Sequence, residues 1–81
     1  MHYVYILQSL KVKDRFYIGL TNDLERRLKE HDNPSSDRYT YRYHPWKLET
    51  YVVFQNQPTA KKFETYLKTS SGRTFLRRHL L

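Results

Sequence analysis

The chain lacks cysteine altogether and is poor in glycine (two), proline (three), methionine (one) and tryptophan (one) across 81 residues. Without cysteine there are no disulfides, no thiolate metal sites and no cysteine nucleophile. That absence suits a reducing compartment. No apolar run approaches membrane-spanning length. The opening Met-His-Tyr-Val-Tyr-Ile-Leu-Gln is too short and too polar around its apolar centre for a secretory leader. A cytoplasmic protein without membrane association is the expectation, built as a single domain over residues 1–81 with a small core. Acidic residues are also scarce, 8 against 15 Lys and Arg, for a formal net charge of +7. A field of that sign attracts polyanions, nucleic acid first among them and an anionic membrane a distant second. Aromatics, in contrast, are abundant at 16% of residues, eight of them tyrosine. Tyrosines fill a core that has little else to fill it, and they also stack on bases or touch phosphates.

Hydrophobic patterning sets out the elements. Residues 2–8 and 15–20 are β-branched and aromatic and predict two strands. Their short polar link predicts an antiparallel hairpin, since a parallel pair needs a longer crossover. On the second strand Phe16 and Ile18 share one face, Tyr17 and Gly19 the other. Gly19 leaves room beside Tyr17 for a close approach. A helix follows, capped by Thr21 or Asn22 with Glu25 in its first turn. It buries Leu24, Leu28 and His31 by i, i+4 spacing and stops at Pro34. Residues 33–47 predict a long loop that interleaves Arg38, Arg42 and Lys47 with Tyr39, Tyr41, Tyr43 and Trp46. Such alternation suits a surface that tracks a nucleic-acid backbone and stacks bases. A third strand is expected at 48–54, a helix capped by Thr59 at 60–68, a break at Ser70-Ser71-Gly72, and a final basic helix at 73–81. The fold class is α+β: a three-stranded antiparallel sheet flanked by helices, in the order β-β-α-β-α-α.

The stretch Tyr17–His31 concentrates the chemistry. It leads from a strand end, through a glycine, into a helix carrying Arg26 and Arg27, so a phenol and a guanidinium are aimed at one patch. Phosphodiester hydrolysis needs a proton acceptor near water and fixed positive charge near the phosphate, so catalysis is largely positioning and charge stabilisation. Glu64 on a later helix can supply one ligand to a hard cation such as magnesium, which keeps most of its waters. A planar guanidinium matches a pair of phosphate oxygens. Each residue also has an ordinary structural reading. Tyr5 and Tyr17 suit half-buried strand positions. Arg27 can pair with Asp23 or Glu30, and Glu64 with Lys61 or Lys68. His31 suits a helix C-terminus.

The ordered set Tyr3-Val4-Tyr5, Tyr17-Ile18-Gly19, the run from Thr21 to His31, and Ala60-Lys61-Lys62-Phe63-Glu64 with Leu67-Lys68 resembles the GIY-YIG nuclease superfamily. The resemblance is strongest to its small stand-alone bacterial members, related to the N-terminal catalytic module of the bacterial repair excinuclease. It covers nearly the whole chain. Two differences stand out: Tyr3 occupies a position where many members have glycine, and an asparagine that some members carry after the last helix has no counterpart. The resemblance implies a divalent-metal-dependent endonuclease that hydrolyses DNA, with a link to DNA repair. It assigns Tyr5 and Tyr17 as the motif tyrosines, Arg27 as the catalytic arginine, His31 as a contributor to the site, and Glu64 as ligand to one Mg2+ or Mn2+. Tyr5 is the favoured proton acceptor, its pKa lowered from about 10 by the metal, Arg27 and Tyr17. DNA contacts are expected from Arg26, Arg38, Tyr39, Arg42, Lys47, Lys68 and Arg73. Cutting is expected to be structure- or strand-selective, with the 33–47 loop as selector, by a monomer or weak homodimer. The alternatives are a basic nucleic-acid-binding module without catalysis and a protein-interaction domain.

Overall fold

Strand β1 (His2–Ser9) lies at the centre of a three-stranded sheet of order β2-β1-β3, with β2 (Phe16–Thr21) and β3 (Trp46–Phe54) both antiparallel to it. The computed structural model describes residues 1–32 and 38–81. Paired on both sides, β1 is the most deeply buried element, with Val4, Tyr5, Ile6 and Leu7 all essentially inaccessible. The period-2 alternation divides these side chains between two faces. Val4 and Ile6 face the apolar core made with Ala60 and Leu67 of α3 (Gln57–Leu67) and Leu76, flanked by Phe16, Ile18, Leu20, Phe54 and Phe63. Tyr5 faces the other way. It is opposite Gly19 of β2 and Tyr51 of β3, while Leu7 is opposite Tyr17. The α+β class and the antiparallel sheet of the sequence reading are those of the structure. Among the described residues no helix is long and apolar enough to cross a membrane.

Ser9 fixes the hairpin. Its fully buried hydroxyl accepts from the backbone N–H groups of Lys11 (3.1 Å) and Val12 (3.0 Å) and donates to the Tyr43 carbonyl at 2.6 Å. One short polar side chain thus closes the β1–β2 turn and ties it to the approach to β3.

Several boundaries differ from the sequence reading, each for a local reason. Helix α1 (Leu24–Glu30) is capped by Asp23, whose carboxylate accepts from the Arg26 N–H at 3.1 Å. Thr21 does not cap; it belongs to β2, and its hydroxyl accepts from the Asp23 N–H at 3.1 Å to make the turn. Helix α3 starts earlier than expected, capped by Asn56 and not Thr59, because Pro58 sits in the first turn, where a missing N–H does no harm. The predicted 33–47 loop contains a short helix, α2 (Arg38–Arg42), and ends where β3 begins at Trp46. Its 33–37 portion lies outside the described residues. The predicted break at Ser70-Ser71-Gly72 is instead the first turn of α4 (Ser70–Phe75), capped by Thr69, and the chain runs on into a wider π-type segment at Leu76–Leu80.

Gly72 is there for space. A Cβ on it would strike the Tyr66 carbonyl and lie 2.6 Å from the Leu67 Cα, all backbone of α3. This is how α4 packs closely enough to bring Leu76 into the core. Gly72→Ala is therefore expected to destabilise the domain by about 1–3 kcal/mol, the range for forcing atoms into a packed site. The same change at the exposed neighbour Ser71 should stay within about 0.5 kcal/mol. Chemical denaturation of the two variants separates them.

Candidate active site

The non-core face of the sheet is a layer of rings. The Tyr5 ring lies directly across Gly19: a Cβ there would collide with the Tyr5 Cζ and hydroxyl and lie 2.8 Å from Cε1. Glycine is thus the residue that lets a phenol lie flat across the neighbouring strand. The Tyr5 hydroxyl shares a 2.8 Å hydrogen bond with His31 Nε2 at the end of α1. Both residues are sealed from solvent, at 0% and 1% exposure. The His31 ring meets the Tyr17 ring edge-on at 4.7 Å, and Tyr5 and Tyr17 lie 6.1 Å apart. From α1 the Arg27 guanidinium donates to the Tyr17 hydroxyl at 3.5 Å and pairs with Glu30 at 3.4 Å. Tyr5, Tyr17, Arg27 and His31 are thereby gathered into one cluster where β1, β2 and α1 meet.

Burial pushes the Tyr5 phenol well above its ordinary range, helped by Tyr17 and more weakly by the Glu64 carboxylate, while Arg27 pulls the other way. On the Arg27 guanidinium burial acts downward, but the Tyr17 hydrogen bond and the Tyr5 phenol outweigh it and the net direction is up. The sequence reading favours Tyr5 as proton acceptor; in the structure that phenol has no exposed surface and its hydroxyl is held by His31. Tyr17 is the phenol that reaches solvent, lining a groove of about 610 Å³.

Glu64 is on α3, its side chain 8% exposed, and its two oxygens face Lys61 at 2.8 Å and Lys68 at 3.6 Å. Two observations connect it to the ring cluster. Its charge acts on the Tyr5 phenol. Its partner Lys68 lines the same groove as Tyr17. At the other end of the β2 edge, Arg26 and Arg27 line a shallower depression of about 470 Å³ that reaches Gln57, the first residue of α3. Tyr17 thus lines the first depression and Arg27 the second, and Glu64 meets the first through its partner Lys68.

The residues expected to touch nucleic acid divide. Tyr39, Lys68 and Arg73 line the groove beside Tyr17, and Arg26 lines the second depression. Arg38 is exposed on α2, and Arg42 stacks over the Tyr43 ring at 5.4 Å. Lys47 does not join them: it stands on β3, at the sheet edge opposite β2, paired with Glu49 at 3.7 Å. Arg15 and Arg77 also line the groove and were missed. The i, i+4 spacing of Arg73 and Arg77 was the signal for the second; nothing local marks Arg15.

A family model described as the GIY-YIG catalytic domain matches residues 1–77. A UPF0213 protein of Clostridium perfringens is 44% identical over 69 residues, covering 84% of this chain and 71% of that protein. A structure-specific endonuclease subunit SLX1 homolog of Giardia intestinalis is 35% identical over 65 residues; this is 76% of the chain but only 18% of that larger protein. The solution NMR structure of a UPF0213 protein from Bacillus halodurans superposes with a TM-score of 0.54 at 33% identity, covering 95% of this chain and 80% of that one.

Two expectations follow from the buried phenol. Gly19→Ala should lower stability by about 1–3 kcal/mol, because the Tyr5 ring it would strike is fully buried and held by His31. The second concerns alkali. Below about pH 10 the phenol is protonated folded and unfolded, and its contribution is fully present. Above that the unfolded chain releases the proton first, so stability falls as pH rises. Tyrosinate absorbance should show one phenol that ionises only with unfolding. Tyr5→Phe should remove that component and leave a shallower alkaline loss of stability.

Proposed function

The chain belongs to the GIY-YIG catalytic domain family, and from that premise we propose that it is a divalent-metal-dependent endonuclease that hydrolyses DNA phosphodiester bonds. The observation that carries this reading is the convergence of Tyr17 and Arg27 at a solvent-open edge, backed by the sealed Tyr5–His31 pair. On this reading Tyr17 accepts the proton of the attacking water. Arg27, beside that oxygen, faces the phosphate and stabilises the charge that grows on it. Tyr5 and His31 do not touch substrate. They hold the Tyr17 ring and the end of α1 in register.

The family's implied cation can be tested against the donors. Among the described residues no group of three or more His, Asp or Glu side chains could hold a metal, so an ion that demands a full protein cage does not fit. Magnesium or manganese does fit, because such an ion accepts one carboxylate and completes its shell with water and phosphate oxygens. Glu64 would be that carboxylate. Its near partner Lys61 has a side chain 60% exposed, so the pair is a weak one that an ion can displace. When bound, the cation supplies Lewis-acid neutralisation of phosphate charge.

Structure- or strand-selective cutting is the reading favoured over sequence-specific cutting. The cytoplasm is the proposed compartment. The test is cleavage of single-stranded, duplex and branched DNA with Mg2+ or Mn2+. Arg27→Ala and Glu64→Ala are each expected to lower the rate by about 10²–10³. Tyr17→Phe should lower it by about 10²–10⁴, the worth of a positioned acid–base group. Tyr5→Phe should retain more activity than Tyr17→Phe. The reverse order would return the proton-acceptor role to Tyr5, and full activity in both Arg27→Ala and Glu64→Ala would exclude the site.

A further inference from the structure

We propose that the groove beside Tyr17, walled by Tyr17 and Tyr39 and rimmed by Arg15, Lys68, Arg73 and Arg77, seats an unpaired nucleic-acid strand next to the cleavage point. The inference rests on the endonuclease reading for its position but on separate residues for its substance. The groove holds about 610 Å³ and is open to solvent, lined by four basic side chains against the single acidic side chain of Asp14, with Leu81 also on its lining. Three of the cations come from the C-terminal part of the chain, Lys68 just after α3, Arg73 on α4 and Arg77 one helical turn further on. Arg15, the residue before β2, is the fourth. Four cations along one groove match a polyanionic backbone.

The lining says which form of nucleic acid fits. Tyr39 is 40% exposed. Its ring continues a chain of contacts that starts at Tyr17 (6.4 Å) and includes a stack on Trp46 at 6.2 Å and Tyr43 at 5.0 Å. Arg15 anchors the far end by sitting 5.5 Å over Tyr43. Phe16, Ile18 and Leu76, residues of the core side of the sheet, supply its apolar lining. A duplex keeps its base faces stacked on one another and presents phosphates and groove edges. It has nothing to offer an aromatic and apolar lining. An unpaired strand presents ring faces to the wall and phosphates to the rim, the combination that single-strand sites use. Because Tyr17 belongs both to this wall and to the catalytic cluster, a strand seated here runs directly to the reacting phosphate. The groove thus gives the catalytic cluster strand selectivity.

The test is binding measured by fluorescence anisotropy in EDTA, on labelled oligothymidylate and on a duplex of equal length, over a series of salt concentrations. Cleavage is absent under these conditions, so the outcome is independent of the nuclease reading. The full chain should bind the single strand more tightly than the duplex. The double variant Arg73→Gln/Arg77→Gln, altered only at exposed positions, should reduce the slope of log affinity against log salt on the single strand by about 1.4, two phosphate contacts at roughly 0.7 each. Tyr39→Leu should weaken single-strand binding about tenfold with the slope unchanged. Tyr39→Phe should restore it, and thermal unfolding checks that each variant is folded. An unchanged slope in the double variant overturns the proposal, as does equal loss on duplex and single strand. Tyr39→Phe as weak as Tyr39→Leu overturns the stacking wall.

Discussion

The architecture depends on one close approach, the Tyr5 ring laid across Gly19 with its hydroxyl on His31. A sheet normally keeps side chains of paired positions side by side. Here one partner has no side chain, so the phenol crosses the neighbouring strand and reaches the helix beyond. Three consecutive elements, β1, β2 and α1, are locked by a single ring. A buried hydroxyl without a partner would be strongly unfavourable, and the His31 nitrogen removes that penalty. The orientation of α1 follows, and with it the direction of Arg27. A guanidinium on a short surface helix is otherwise mobile; one whose helix end is pinned through His31 points repeatedly at the same phenol.

The sheet then divides its labour by face. Val4 and Ile6 on one side build nearly all of the apolar core with α3 and Leu76. The other side is aromatic and polar, and buries Tyr5, Leu7 and His31. In a domain this small, where total burial is limited, both faces of the sheet contribute, one through aliphatic packing and the other through the buried rings. The tight α3–α4 junction at Gly72 is the counterpart. By bringing two helices to near backbone contact, it places Leu76 where the core needs filling. Core economy and site construction therefore both rest on the two glycines of the chain, each used for space and neither for a turn.

Much of this was legible in the residues. Period-2 alternation identified the strands and correctly divided Phe16 and Ile18 from Tyr17 and Gly19, because a strand face is a local property. The converging set Tyr5, Tyr17, Arg27 and His31 was legible as an ordered pattern. What failed did so where tertiary packing overrides local rules. Ser70-Ser71-Gly72 reads as a breaker by propensity, yet in the structure it opens a helix whose approach to Tyr66 only glycine permits. Thr21 and Thr59 are good caps by type, but each neighbour cap, Asp23 and Asn56, won through its position in the turn. Two tyrosines of equal standing in sequence also differ in burial, which no motif records: Tyr5 is sealed, while Tyr17 borders the groove. Ser9, which closes the hairpin and holds it to Tyr43, has no sequence signature at all, since its partner is 34 residues away.

Glu64 draws these strands together. A carboxylate this buried cannot stand alone, and Lys61 and Lys68 neutralise it from the solvent side. Both lysines are themselves largely exposed, so the pairs are held loosely and can be exchanged. On the proposed reading that looseness has a use. A phosphate arriving along the β2 edge offers the lysines another anion, and a cation arriving with it offers the carboxylate another partner. Lys68 stands at the junction, touching Glu64 on one side and the groove on the other. The ion pairs that look like ordinary helix-surface contacts are then the resting arrangement of charges that substrate would redistribute. The same carboxylate–lysine geometry is compatible with both descriptions, and the adjoining Tyr17–Arg27 pair gives the second its direction.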